Sequence, residues 1–114
     1  MKKKNFKGIS TVTLHSASTE NDNFSHTTPI YATSTFTFDS TDEGMERFKS
    51  ADKTRIYSRW GNPTFTAAQD VIAALEAFGL KNEKGEQLEL KALLHASGQA
   101  AMSTLFLSTL SAGD

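Results

Sequence analysis

The chain contains no cysteine. That absence excludes a disulfide framework, a thiolate zinc site and a cysteine nucleophile, and it fits a reducing, cytoplasmic setting. It also lacks a charge excess: 12 Lys and Arg stand against 13 Asp and Glu, for a formal net charge of -1. No global field therefore draws in nucleic acid or an anionic membrane surface. No apolar run is long enough to span a bilayer, and the basic start Met1-Lys2-Lys3-Lys4-Asn5-Phe6-Lys7 is not followed by the apolar stretch of a signal peptide. His15, His26 and His95 show no metal-ligand spacing, so no metal site is expected. With 114 residues there is material for one small domain and no more.

Against this background one stretch stands out, Ile56 to Thr64, which reads Ile-Tyr-Ser-Arg-Trp-Gly-Asn-Pro-Thr. Gly61-Asn62-Pro63 breaks the chain and then starts a helix. Asn62 suits the N-cap, and Pro63 suits the first helical position, where a missing N–H loses nothing. Tyr57 and Arg59 are thus placed on a loop or extended segment just ahead of a helix. A guanidinium fork beside a phenol hydroxyl matches a phosphate or a carboxylate. The competing reading is an arginine stacked on Trp60 with Tyr57 covering the edge of a core.

Upstream, residues 8 to about 60 are rich in Ser and Thr and poor in large apolar side chains such as Phe24. Residues 28 to 38 are β-branched and aromatic and are expected to be extended, but Pro29 and the lack of turn chemistry argue against a hairpin. Only 40–49 reads as helical. So much irregular chain does not suit a small compact domain, and residues 1–62 are expected to form an extended arm that orders against another subunit. Downstream, a helix is expected over 63–78, with Phe65, Ala68, Val71, Ile72, Leu75 and Phe78 on its apolar face and Gly79 as a left-handed stop. Residues 80–87 read as a charged loop containing Gly85, and 88–96 as a short buried strand.

Ala96-Ser97-Gly98-Gln99 then leads into a helix over 98–111. Strand, Ser-Gly turn and helix make a βα unit whose helix N-terminus presents free N–H groups, here those of Gly98 and Gln99. An ordinary βα turn in which Gly merely fits the backbone is the alternative. Asp70 and Glu76 fall on the polar side of their helix, and Ser97 has no base beside it in sequence, so none of these is a catalytic candidate. One strand and two helices do not close an α/β layer, so the chain reads as the N-terminal piece of a longer protein.

Four ordered blocks carry a resemblance: Thr13-Leu14-His15; Pro29-Ile30-Tyr31 through Thr33-Ser34-Thr35-Phe36; Tyr57-Ser58-Arg59-Trp60-Gly61-Asn62-Pro63-Thr64; and Ala96-Ser97-Gly98-Gln99-Ala100-Ala101 ending in Gly113-Asp114. The chain resembles the N-terminal part of the Cys/Met-metabolism, or trans-sulfuration, family of pyridoxal-phosphate enzymes. The resemblance implies an α/β fold, the N-terminal portion of a fold-type I, aspartate-aminotransferase-like transferase that is incomplete here. It implies that the pyridoxal 5'-phosphate (PLP) phosphate is held by main-chain N–H groups of Gly98 and Gln99 and by Tyr57 and Arg59, the latter two reaching into a neighbouring subunit of a dimer of dimers. It implies γ-elimination or γ-replacement on a sulfur amino acid or a homoserine ester, with no nucleic-acid or membrane partner.

The family usually has Met where this chain has Gln99, which preserves the main-chain donor, and the loop before Leu88 is longer than usual. The lysine that forms the Schiff base, the aspartate that pairs the pyridine nitrogen and the tyrosine that stacks on the ring have no counterpart in this sequence. Lys81, Lys84 and Lys91 precede the Ser-Gly turn and do not match the lysine. The chain by itself is therefore expected to be inactive, and a non-catalytic remnant acting as an oligomerisation module is the alternative.

Overall fold

The computed structural model describes residues 6–17, 25–50 and 55–114, so Lys2, Lys3, Lys4 and Phe24 lie outside the described residues. Four helices follow one another: α1 (Ile9–His15), α2 (Thr41–Lys49), α3 (Pro63–Glu76) and α4 (Gly98–Thr109).

Helix α1 was not expected in an arm read as irregular apart from 40–49. Its β-branched residues Ile9, Thr11, Val12 and Thr13 disfavour helix locally. Seven residues are also too few to be stable alone. Tertiary packing overrides both: α1 lies against α3, and its Val12 is buried. No other pair of helices makes contact among the described residues. The arm is therefore anchored at its start on its own chain, which narrows what remains to meet a neighbour.

Helix α2 forms where expected. Ser40 caps it by accepting from the Glu43 N–H at 3.1 Å, and the Glu43 carboxylate accepts from the Asp39 N–H at 2.7 Å. This is close to the reciprocal Ser-x-x-Glu arrangement that satisfies two orphan donors at once. Glu43 also pairs with Arg47 one turn on. Gly44 lets the Phe38 ring approach the helix closely, since a Cβ there would meet Phe38 Cδ2 at 3.2 Å.

The Asp39 N–H, reinforced by the Arg47 guanidinium, holds the Glu43 carboxyl below its ordinary range. A depressed carboxylate stabilises the fold above its unfolded value and loses that contribution as pH falls through the lowered one. Acidification should therefore fray α2 at its N-terminus. Followed by NMR, the Asp39 amide should titrate with a midpoint below that of an ordinary glutamate, and Glu43→Gln should abolish the transition.

Helix α3 begins as the Asn-Pro pair requires. The Asn62 side chain accepts from the Thr64 N–H at 2.9 Å, and Pro63 occupies the first turn. Its buried side chain is Ala67, whereas Phe65 and Ile72, expected on the inward face, are 54% and 40% exposed. Val71, Leu75 and Phe78 of the expected face are half-buried. Beyond α3 the chain turns through Gly79, whose φ of 77° is left-handed as expected.

The charged segment that follows is more ordered than a plain loop. Lys81 bridges Gln87, the Asn82 N–H donates to the Glu86 carbonyl, and the Leu88 N–H donates to the Leu80 carbonyl, making a small hairpin. Inside it the Asn82 side chain accepts from the Lys84 and Glu86 N–H groups. The expected strand over 88–96 is not formed. A strand exists only through a neighbouring strand, and no ladder partner for it is present among the described residues. Helix α4 follows, ending at Thr109 rather than Ser111. Met102, Leu105, Phe106 and Leu107 on it and Leu110 just beyond it are all exposed, Leu107 by 85%.

Candidate functional site

The segment holding Tyr57 and Arg59 is pinned against the arm by backbone pairing. Thr35 and Tyr57 form an antiparallel bridge, flanked by the Phe36 N–H on the Ile56 carbonyl at 3.3 Å and the Ser58 N–H on the Ser34 carbonyl at 2.8 Å. The expectation that residues 28 to 38 are extended without forming a hairpin of their own agrees with this long-range pairing. Ile56 is buried beneath the bridge. The chain then folds back on itself: the Tyr57 carbonyl accepts from the Trp60 N–H at 2.9 Å and the Gly61 N–H at 3.3 Å. This tight turn places Arg59 at its outer end.

Asn62 closes the turn from below. It is 3% exposed and uses its whole side-chain amide. Its Oδ1 caps α3, while its Nδ2 donates to the Tyr31 carbonyl at 3.0 Å, the Ser58 hydroxyl at 3.2 Å and the Thr33 carbonyl at 3.4 Å. The Ser58 hydroxyl in turn donates to the Thr33 carbonyl at 2.6 Å. Thr64 adds a further link by accepting from the Tyr31 N–H at 2.8 Å. The sequence marked Asn62 as a helix cap alone. Its second role was in principle legible, because a buried Asn carries two donors that a cap does not use.

An aromatic path supports the turn from the side of α2. Phe38 lies 6.2 Å from Phe48, Phe48 meets Trp60 edge-on at 5.7 Å, and Trp60 meets Tyr57 at 6.3 Å. Arg47 on α2 donates to the Arg55 carbonyl at 3.2 Å and lies over the Phe38 ring. The competing stacking reading is altered in one respect: Arg59 lies over Tyr57, 5.0 Å from the ring centroid. That contact still leaves the guanidinium exposed, and among the described residues no carboxylate pairs with it. The Tyr57 hydroxyl likewise has no hydrogen-bond partner there.

The second pair of expected residues opens α4. Ser97 is its N-cap, accepting from the Ala100 N–H at 3.1 Å, while the Ala101 N–H reaches the Ser97 carbonyl. This cap explains Ser97 without a catalytic role. Gly98 and Gln99 are exposed, and their N–H groups have no acceptor among the described residues. A Cβ added at Gly98 would meet nothing within 4 Å, so the approach to these donors is open. The structure brings Tyr57 and Arg59 together and Gly98 and Gln99 together. No hydrogen bond or ring contact joins one pair to the other among the described residues. All four donate and none finds an acceptor, which suits an anion such as the phosphate of a cofactor.

Among the described residues no group of three His, Asp or Glu side chains could hold a metal ion. None of the helices there is long and apolar enough to cross a membrane.

The sequence profile of the family described as Cys/Met metabolism PLP-dependent enzyme matches residues 10–114. Over 107 residues the chain is 38% identical to an L-methionine gamma-lyase of Fusobacterium nucleatum subsp. polymorphum, covering 94% of this chain and 24% of that protein. It is 32% identical over 108 residues to an O-acetyl-L-homoserine sulfhydrylase of Corynebacterium glutamicum, covering 94% and 22%. It is 32% identical over 107 residues to a homocysteine/cysteine synthase of Saccharomyces cerevisiae, covering 91% and 22%. The chain thus spans about a quarter of the length of the curated relatives it matches.

Proposed function

The chain belongs to the Cys/Met metabolism family of PLP-dependent enzymes, and from that premise we propose that it is the phosphate-gripping N-terminal part of a trans-sulfuration enzyme. The family is of fold-type I. In this reading residues 63–114 begin the large α/β domain, and the run 88–96 joins its sheet once neighbouring strands are present. The rest of the arm, beyond α1, reaches a neighbouring subunit, and the complete enzyme is a cytoplasmic dimer of dimers.

The observation that carries the reading is the set of unmatched donors on Tyr57, Arg59, Gly98 and Gln99. Arg59 would hold phosphate oxygens through its guanidinium N–H groups, and Tyr57 would give one hydroxyl bond. Gly98 and Gln99 supply main-chain donors at the positive end of α4. Together they fix the cofactor's tail so that its ring is presented in one orientation. When bound, PLP supplies an electron sink for carbanion chemistry on an amino-acid substrate. The relatives' names point to methionine and O-acetyl-L-homoserine as the substrate class, and γ-elimination or γ-replacement is the reaction proposed.

The phosphate grip is tested by comparing PLP with pyridoxal, which lacks the phosphate. The full-length enzyme should prefer PLP strongly in equilibrium dialysis, and Tyr57→Phe should narrow the preference by about one hydroxyl bond, roughly threefold to tenfold. Equal affinity for the two compounds in the unaltered enzyme would refute it.

A further inference from the structure

We infer that Asn62 is the positioning residue of the phosphate grip, holding Tyr57 and Arg59 in place through its Nδ2 donors rather than through its helix cap. The inference rests on the phosphate reading of those two residues and goes beyond it.

Tyr57 and Arg59 occupy a turn whose own bonds, from the Trp60 and Gly61 N–H groups to the Tyr57 carbonyl, fix its curvature but not its place on the protein. Placement comes from the links to the arm. Two of these are backbone bonds at the bridge. One is the Ser58 hydroxyl on the Thr33 carbonyl, one is the Tyr31 N–H on the Thr64 hydroxyl, and the rest run through the Asn62 amide, which is buried where water cannot substitute for a lost partner. From one point Nδ2 reaches the carbonyls of Tyr31 and Thr33 and the hydroxyl of Ser58, the residue between Tyr57 and Arg59. Ser58 is thereby held from inside the turn, between a half-buried Tyr57 and an exposed Arg59. A cap needs only an oxygen, and Asp or Ser would serve as well. The donor half of the Asn side chain has no role in capping and is fully spent on the turn and the arm.

This separates two explanations by substitution. Asn62→Asp keeps the capping oxygen and removes the donors; measured at about pH 8, its carboxylate carries no proton to give. Asn62→Ala removes both. If Asn62 positions the grip, both variants of the full-length enzyme should bind PLP about tenfold more weakly. The phosphorus NMR resonance of the bound cofactor should shift in both. Combined with Arg59→Ala, Asn62→Asp should add little further loss, because the two substitutions disable the same contact. Wild-type affinity and phosphorus shift in Asn62→Asp would overturn the inference and leave Asn62 a cap. Full additivity with Arg59→Ala would overturn it as well.

Should neither position-62 variant assemble, Ser58→Ala decides. It deletes the hydroxyl joining Nδ2 to the Thr33 carbonyl without touching the cap. Reduced PLP affinity there supports the inference, and unchanged affinity refutes it. Failure of the phosphate reading looks different: Arg59→Ala would then leave PLP affinity unaltered, whatever the position-62 variants do.

Discussion

Replacing Arg59 with alanine in the full-length enzyme should weaken PLP binding about a hundredfold, equivalent to roughly 2.7 kcal/mol. Hydrogen bonds to charged groups are each worth about 1.5–3 kcal/mol, and the guanidinium would supply two in parallel to one phosphate. The loss should fall on the cofactor and not on the fold. Arg59 is exposed and lies over the Tyr57 ring, a pairing worth about 0.5–1 kcal/mol at such sites. Arg59→Lys restores the charge but not the planar fork, so it should recover only part of the affinity, about tenfold of the hundred. Equilibrium dialysis against graded PLP, beside a thermal melt of the cofactor-free protein, reads both effects. Cofactor affinity that survives Arg59→Ala intact would remove the guanidinium from the site.

The second large effect concerns the 114-residue chain expressed by itself. It should bind a hydrophobic dye strongly and unfold over a broad range without a cooperative transition. The Cα radius of gyration is 16.8 Å, where a compact domain of this length would have about 13 Å. The buried apolar residues among those described are Val12, Ile56, Ala67 and Ala77, two of them alanines with little surface to remove from water. Meanwhile Met102, Leu105, Phe106 and Leu107 leave α4 apolar on exposed surface. Such a helix lacks the packing from which most helical stability comes. Calorimetry and dye fluorescence on the purified chain test this. A sharp transition whose calorimetric and van't Hoff enthalpies agree would show that the chain completes a core unaided.

These expectations also show which parts of the molecule local chemistry makes legible. The starts of α2 and α4 were placed without naming the Ser40 and Ser97 caps that act within three residues, whereas the start of α3 was readable because the Asn62-Pro63 pair announces it locally. Gly79 was readable for the same reason, since its left-handed backbone needs no distant partner. What escaped depends on contacts far along the chain. Helix α1 exists because α3 is there to receive Val12, and nothing between Ile9 and His15 says so. The expected inward face of α3 is met in part: Val71, Leu75 and Phe78 are half-buried, while Phe65 and Ile72 stay exposed and the buried side chain is Ala67. Residues 88–96 have the composition of a strand but form no ladder among the described residues. At the candidate site Tyr57 and Arg59 were visible as a motif, whereas the Asn62 amide joins carbonyls 29 and 31 residues away, beyond any local pattern.

The hairpin between α3 and residue 88 carries a consequence of its own. It satisfies its backbone groups internally, through Asn82, Glu86 and the closing bond from Leu88 to Leu80, and its tip at Gly85 is open on all sides. A residue inserted at that tip should therefore leave the Arg59 turn and the Ser97 cap undisturbed.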